Sequence, residues 1–203
     1  MKPRLEPLPV EEWNDDARAA LRDGMPGAAD VFLSENPDAP RIPNVLATLM
    51  HNPALTGPWL RYNSVLLGAP TLDPRHRELM ILRVAWRARA NYEWLQHVRV
   101  GKPLGITDEE IEAISRGEPA PSWTSFETDL MAATDQLMDH HCIDDSTWAR
   151  LAEELKPAQL MELVFVVGSY TCLAMAFNSF GLELDPDLDP AMSPVMPVPL
   201  ERK

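Results

Sequence analysis

Two ionisable side chains, Glu93 and His97, stand four residues apart in the stretch NYEWLQHVRVG at residues 91–101. Residues at i and i+4 of an α-helix project from the same face, so the two groups can act together. A neighbouring carboxylate can hold an imidazole in one tautomer and stabilise its protonated form. We therefore interpret this pair as a candidate acid–base site, in which His97 carries the proton and Glu93 orients the imidazole.

A third ionisable group, Glu78, lies in the preceding stretch RHRELMILRVAWRAR at residues 75–89. If the two stretches are consecutive helices of a hairpin, the second helix runs back along the first and brings His97 towards Glu78. Burial can raise the pKa of a carboxyl group into the range of a proton donor. Glu78 is therefore our candidate for a second acid or base.

Four further residues are candidates for substrate contact. Tyr92, Trp94 and Trp86 could line an apolar pocket. Arg83 could hold an anion if its side chain meets the site through a neighbouring helix or subunit. Neither the Glu-x-x-His pattern nor the His-Glu-x-x-His pattern of a metal site occurs at these positions, so we assign no metal ligand.

Structural roles are the alternative for each of these residues. A Glu and a His at i and i+4 also form a weak surface pair, and Glu78 among its neighbouring arginines could anchor two helices. Aromatic side chains at this spacing commonly pack in a core. The residues alone leave both interpretations open.

The chain shows the periodicity of helices and no alternation typical of strands, which predicts an all-α fold. Asp73 as N-cap and Pro74 at the first helical position mark the start of the helix that carries Glu78. Thr107 and Glu110 have the spacing of a capping box, which starts another helix. The predicted helices cover residues 13–21, 45–50, 53–67, 74–90, 92–104, 107–115, 125–141, 145–155 and 157–180.

Composition divides the chain into three segments. Residues 1–43 are one helix followed by an irregular extension, residues 44–181 form the helical body, and residues 182–203 are a Pro-rich tail. The tail is too rich in Pro to stay helical, and it could be disordered or could bind a neighbouring subunit. The last helix, residues 157–180, is apolar on most sides, which predicts a central position or a place between subunits.

Charge and composition argue against several classes of partner. The 203 residues carry a net charge of −13, which disfavours binding to nucleic acid phosphates. The N-terminus lacks a secretory pattern, and no stretch approaches the roughly 20 apolar residues that span a bilayer, so we expect a cytoplasmic protein with no membrane partner. Cys142 and Cys172 are far apart and outside any metal-spaced motif, so we interpret both as packing residues.

The stretches RELMILRVAW and YEWLQHVRVGKPLGITDEEIEAI, within residues 77–114, resemble the carboxymuconolactone decarboxylase family, which includes the alkyl hydroperoxidase D group. The resemblance extends to about residues 43–181. It implies an alkyl hydroperoxidase D-like helical fold with a central helical hairpin, assembled as trimers or hexamers. It also implies active sites close to subunit interfaces and no organic cofactor.

The resemblance separates two branches of the family. The peroxidase branch carries a Glu, a CxxC pair and a His, and the matching positions here are Glu78, Ala90, Glu93 and His97. Both thiols are absent, so the thiolate that attacks a peroxide and the thiol that resolves it are missing. The decarboxylase branch carries Glu-x-x-x-His, which Glu93 and His97 match. The resemblance therefore implies a cofactor-independent lyase that acts on a small organic acid or lactone.

Two other classes of function stay open at this point. One is a peroxidase or antioxidant protein of the alkyl hydroperoxidase D type, working through Cys142 or Cys172. The other is a noncatalytic helical oligomer that binds a small acid or a protein partner. Substitution of both cysteines tests the first, and exposure of Glu78, Glu93 and His97 to solvent would favour the second.

Overall fold

The structure is a computed structural model that describes residues 3–34, 36, 38–68 and 70–200. Those residues form α-helices and three single 3-10 turns, without a β-strand among them, so the all-α prediction is confirmed. The helices are α1 Asp15–Gly24, α2 Pro26–Phe32, α3 Asn44–Leu49, α4 Pro53–Gly68, α5 Pro74–Arg87, α6 Asn91–Gly101, α7 Asp108–Arg116, α8 Ser125–His140, α9 Asp145–Glu154 and α10 Pro157–Phe180.

Two differences from the predicted helices have a local cause. The extension predicted to be irregular contains α2, because Pro26 takes the first helical position, where a missing N–H leaves no hydrogen bond unmade. The helix predicted to reach residue 90 ends at Arg87, because Arg89 adopts a left-handed conformation with φ of 54° and turns the chain. The other predicted helices are present with small shifts at their ends.

The chain divides into two compact units. The first comprises Met1–Pro70 with Phe180–Asp185, and the second comprises Thr71–Ser179 with Pro186–Lys203. The boundaries of these two units differ from those of the three segments that we predicted from composition. The candidate residues Glu78, Glu93 and His97 all belong to the second unit.

In the first unit, α1 packs closely against α4 at small residues. A Cβ atom built on Gly24 would lie 2.3 Å from Cβ of Leu60, and one built on Gly57 would lie 3.3 Å from Cβ of Ala20. A side chain at Gly24 would therefore push the helices apart, and one at Gly57 would make a tight contact. Around this crossing, Leu21 and Leu60 are buried in the core of the unit.

In the second unit, α5 is the central helix, and its apolar residues from Leu79 to Ala85 are all fully buried. Asp73 caps it by accepting a hydrogen bond from the backbone N–H of Arg75 at 2.8 Å, as the sequence predicts. The predicted capping box of Thr107 and Glu110 starts α7, and a second one starts α8. Helices α6, α7 and α8 pack against α5.

Helix α10 has one buried side and one exposed side, so it is not central on every side, and the predicted place between subunits stays a prediction. Met161, Phe165 and Met175 are 64%, 51% and 60% exposed and repeat along one stripe. By length and composition alone, with a mean hydropathy of 1.8, this helix could cross a membrane. The expectation that no stretch is long and apolar enough to span a bilayer was therefore wrong. Core helices of proteins outside membranes can have the same length and hydropathy.

The C-terminal segment is bound to α6 of the second unit. Trp94 Nε1 donates to Ser193 Oγ and to the Val195 carbonyl, both at 3.0 Å. The Lys102 ammonium donates to the Met192 carbonyl at 2.6 Å, and Pro190–Met192 forms a 3-10 turn. This part of the Pro-rich tail is therefore held against the helix that carries Glu93 and His97.

Candidate active site

The turn between α5 and α6 brings Glu78 and His97 together. Left-handed Arg89 reverses the chain, and Asn178 of α10 donates to the carbonyl of Ala88 at 2.7 Å, which holds the turn in place. His97 Nδ1 then lies 2.5 Å from Oε2 of Glu78. The approach of the two side chains expected from a helical hairpin is present.

Glu78 is the ionised member of this pair. It is fully buried, and its Oε1 accepts hydrogen bonds from Arg77 Nε at 3.2 Å and Arg77 Nη2 at 3.1 Å. Burial acts to raise the pKa of Glu78, but the charges and hydrogen bonds of His97 and Arg77 together outweigh it and lower the pKa below its usual value. A carboxylate can only accept, so Nδ1 of His97 is the donor.

The second ring nitrogen of His97 is available for chemistry. Because Nδ1 carries the hydrogen that Glu78 accepts, Nε2 of the neutral ring carries a lone pair and can take up a proton. In the part of the chain that the structure describes, Nε2 has no hydrogen-bond partner. The side chain of His97 is 13% exposed, so the imidazole has a limited path to solvent.

Glu93 is buried without a partner. It is 2% exposed, and neither carboxyl oxygen has a hydrogen-bond partner within the described residues. Burial raises the pKa of Glu93 well above its usual value, so the group is held as a neutral acid. The predicted role of orienting His97 therefore passes from Glu93 to Glu78, which bonds the imidazole across the hairpin.

Tyr170 of α10 is the neighbour of His97 that the sequence analysis missed. Its ring meets the imidazole edge to face, with centroids 4.8 Å apart and an interplanar angle of 90°. Burial, with a contribution from the charges of Glu78 and Glu93, raises the pKa of Tyr170, so its phenol stays neutral. The only signal in the sequence is its position on the buried side of an apolar helix, which does not distinguish it from a packing residue.

Arg83 does not join the site. Its guanidinium pairs with Asp135, from Nε at 2.7 Å and from Nη2 at 2.9 Å, and Nη1 donates to the Ile114 carbonyl at 2.6 Å. These bonds occupy the planar donor edge that an anion would need. Arg83 and Asp135 line a cavity of about 210 Å³ whose lining does not include Glu78, Glu93 or His97.

Of the three predicted aromatic residues, Trp94 and Tyr92 are buried and Trp86 is partly buried. Trp86 and Trp94 have ring centroids 5.1 Å apart, and Trp94 also binds the C-terminal segment. Tyr92 contacts the ring of Phe177 at 5.6 Å, and its hydroxyl accepts a hydrogen bond from Gln96 at 3.0 Å. These contacts are those of core residues rather than of the walls of a pocket around His97.

The cysteines and possible metal ligands add no group to this site. Cys142 and Cys172 are free and exposed, so their interpretation as packing residues was wrong. Ala90, at the first position of the peroxidase branch's CxxC pair, is buried and offers no reactive atom. Among the described residues, no three His, Cys, Asp or Glu side chains form a group able to hold a metal ion.

Several solved structures share this fold. A peroxidase-related protein from Ralstonia eutropha JMP134, described as an alkylhydroperoxidase AhpD core, aligns with TM-score 0.70 and 13% identity over 91% of this chain and 94% of its own. A peroxidase-related protein from Silicibacter sp. TM1040 aligns with TM-score 0.69 and 14% identity over 93% and 95%. A protein of unknown function from Agrobacterium tumefaciens aligns with TM-score 0.61 and 14% identity over 68% and 96%. The fold is therefore AhpD-like.

A family model also matches part of the sequence itself. The model of the carboxymuconolactone decarboxylase family matches residues 53–136, a range that includes Glu78, Glu93 and His97. Over this segment of 84 of the 203 residues the chain is similar to the carboxymuconolactone decarboxylase family, in agreement with the resemblance described above. A search of curated proteins found no match.

Proposed function

We propose that the protein is a cofactor-independent acid–base enzyme that acts on a small organic acid or lactone, by decarboxylation or related proton transfer. The observation that carries this proposal is the bond between Glu78 and His97 Nδ1, which leaves Nε2 free beside a path to solvent. A buried carboxylate paired with an imidazole in this way is the arrangement by which enzymes hold a histidine ready to accept and donate a proton.

In the proposed decarboxylation, His97 enters the cycle as an imidazolium paired with the Glu78 carboxylate. The bond between the substrate carbon and its carboxylate breaks, CO2 leaves, and the bonding electrons remain on the substrate as an enolate-like anion. Nε2 of His97 then donates its proton to that carbon, and the neutral imidazole takes a new proton from solvent. The cycle is balanced, because one carboxylate and one proton become one C–H bond and one CO2.

The remaining charged groups set the electrostatics of this step. Arg77 neutralises Glu78 at 3.1 Å, so the imidazolium does not face an uncompensated buried anion. Glu93 adds a neutral acid that is kept from ionising by burial. We assign Glu78 the orientation of His97, and Glu93 the part of a neutral acid beside it.

The test is a screen of small lactones and of β-keto and enol acids in D2O, followed by NMR. Decarboxylation of a substrate in the presence of the protein should place deuterium on the carbon that lost CO2. His97→Gln should lower turnover about 100- to 10,000-fold, the usual contribution of a positioned acid or base. Circular dichroism of the variant should match the unaltered protein.

The matched control is His76→Gln. His76 lies on α5 and packs edge to face against Phe126 at 5.0 Å, so it is a partly buried histidine outside the Glu78 pair. Its substitution should leave turnover unchanged. Full turnover in His97→Gln would overturn the proposal.

A peroxidase is the second candidate, because two of the structural neighbours are described as peroxidase-related. In this chain such chemistry would have to use the exposed thiols of Cys142 and Cys172, since the positions of the CxxC pair hold Ala90 and Glu93. Peroxide consumption with a dithiol reductant, compared between the protein and a variant with both cysteines changed to Ser, tests it. A loss of activity in the variant would favour this candidate over decarboxylation.

We also propose that copies of the chain associate as trimers or hexamers through the exposed stripe of α10. Large apolar side chains that are half exposed or more, such as Phe165 and Met161, are typical of a protein interface. Sedimentation velocity should give the mass of an oligomer, and Phe165→Glu should shift it towards the single chain. Flotation with phosphatidylcholine vesicles would distinguish a membrane-bound helix, which should rise with the lipid.

A further inference from the structure

Tyr170 reaches His97 from a third helix. Glu78 stands on α5, His97 on α6 and Tyr170 on α10, and the ring of Tyr170 meets the imidazole at 90° with centroids 4.8 Å apart. Tyr170 is 2% exposed and lies on the buried side of α10 with Val166 and Ala174. The position of its ring is therefore set by the packing of a whole helix.

One hydrogen bond is not enough to fix an imidazole. A histidine side chain has two torsions, and the second has a broad range. The bond from Nδ1 to Glu78 holds one edge of the ring, but the ring can still swing about the line that joins Nδ1 to Oε2. A second contact, against the ring itself, is needed to set the direction of Nε2.

We propose that Tyr170 is a positioning residue, whose ring holds the plane of the His97 imidazole and so directs Nε2 towards the substrate. This inference rests on the proposed acid–base role of His97 and adds a part to it. The edge-to-face geometry favours a fixed angle between the rings, because the positive edge of one ring meets the negative face of the other. The contact needs the aromatic ring of Tyr170 rather than its hydroxyl group.

The experiment measures His97 in two ways, using the full chain. Acylation of His97 by diethyl pyrocarbonate, localised by mass spectrometry, reports how freely Nε2 meets a small reagent. Turnover of the substrate found in the screen reports how well Nε2 is aimed. Both are measured for the unaltered protein, for Tyr170→Phe and for Tyr170→Leu.

The expected results separate the ring from the hydroxyl. Tyr170→Phe should match the unaltered protein in both measurements. Tyr170→Leu should acylate faster at His97, because the ring is freer and more open, while kcat falls about 10- to 100-fold with little change in KM, since a misdirected group loses catalytic alignment. A purely structural role would change neither the acylation rate of His97 nor the ratio of kcat to KM.

Phe177→Leu is the matched control. Phe177 lies two turns further along the buried side of α10, is 6% exposed, and contacts Tyr92 instead of His97. It should lower stability as Tyr170→Leu does, without altering acylation of His97. If Tyr170→Leu does not fold, Tyr170→Met, which fills a similar volume without a flat ring, replaces it.

The two proposals fail in different ways. Equal acylation and equal kcat in Tyr170→Leu, Tyr170→Met and the unaltered protein would overturn the inference about Tyr170, whatever His97 does. Full turnover in His97→Gln would overturn the acid–base function, and acylation would still report whether Tyr170 holds the ring. Loss of turnover in Tyr170→Phe would show that the hydroxyl acts and would overturn the ring-based inference.

Discussion

Two clusters of charged side chains begin within the first five residues of α5 and differ in how completely they are bonded. In the first, the Arg75 cluster, Arg75 donates to Glu110 at 2.5 Å, to Glu127 at 3.0 Å and to the Gly105 carbonyl at 2.9 Å. Glu110 and Glu127 are also the capping-box residues of α7 and α8. One guanidinium therefore ties the starts of two helices to the start of α5.

The second cluster, the His97 cluster, comprises Arg77, Glu78, Glu93 and His97. Arg77 and Glu78 are bonded to each other and Glu78 to His97, but Glu93 is buried with both oxygens unpaired in the described structure. Nε2 of His97 is likewise left without a partner there. The cluster holds a neutral buried acid and an imidazole with one free nitrogen.

The difference teaches how to separate a structural ion pair from a candidate site. Buried polar groups in proteins are nearly always hydrogen-bonded, and an unbonded one lowers stability. In the Arg75 cluster the carboxylates accept hydrogen bonds from helix N-termini and from one arginine. This is the bonding of a structural ion pair that holds helices together. In the His97 cluster, groups that lack bonds stand beside a proton carrier, which is the pattern expected of a functional site.

The largest effect should follow from Glu78→Gln. The neutral side-chain amide removes the negative charge that pairs with the imidazolium, which is the form of His97 that donates the proton in the proposed step. Turnover should fall about 100- to 10,000-fold. Steady-state assays on the substrate identified by the screen measure it, with Glu110→Gln as the same substitution in the other cluster. Equal losses in both variants would erase the distinction between the clusters.

The next largest effect should be on stability, in Arg75→Met. Two carboxylates, Glu110 and Glu127, would lose the cation that they share. Their side chains are only 2% and 7% exposed, so solvent would not replace it. The free energy of unfolding should fall by roughly 2–4 kcal/mol, near the range for a broken buried pair, since 23% of the Arg75 side chain still meets solvent. Urea unfolding measures the loss, and turnover per folded molecule should not change.

Arg150→Met is the control for that loss. Arg150 pairs with Asp129 at 2.8 Å, but its side chain is 49% exposed, so solvent screens the pair. Its effect on unfolding should be much smaller. A loss as large as that of Arg75→Met would mean that burial does not govern these ion pairs.

Glu110→Gln should lower stability in a pH-dependent way. Burial acts to raise the pKa of Glu110, but hydrogen bonds from Arg75, Thr107 and Ser122 outweigh it and lower the pKa. Its ionised form therefore stabilises the fold above the pKa of the unfolded chain, and this contribution is lost as the pH falls through the folded pKa. The variant should be less stable by roughly 1–2 kcal/mol at neutral pH and should approach the unaltered protein in acid.

Glu93→Gln should give the smallest effect, with the opposite sign. Burial raises the pKa of Glu93, so the unfolded chain releases this proton at a lower pH than the folded chain does. Stability is therefore lost as the pH rises from the unfolded pKa through the folded pKa, and Gln removes that loss. In urea unfolding, the free energy of unfolding of the variant should increase relative to that of the unaltered protein as the pH rises. A constant difference at every pH would mean that folding does not change the pKa of Glu93.

Much of the fold follows from the sequence because its causes are local. Asp73 caps the backbone N–H of Arg75, and Thr107 caps that of Glu110, so the partners stand within three residues of each other. Helical periodicity predicts most of the remaining elements for the same reason. The spacing of Glu93 and His97 and the hairpin that faces Glu78 also come from short stretches.

What the tertiary structure decided is which of these groups meet. At four residues' distance Glu93 could have bonded His97, but the rotation of α6 against α5 places Nδ1 on Glu78 and leaves Glu93 in the interior. Tyr170 reaches the imidazole from a helix more than seventy residues further along the chain. Contacts between distant helices depend on how whole surfaces pack, and no local pattern records that rotation. The sequence by itself determined the chemical groups and the helices that carry them, and packing assigned their partners.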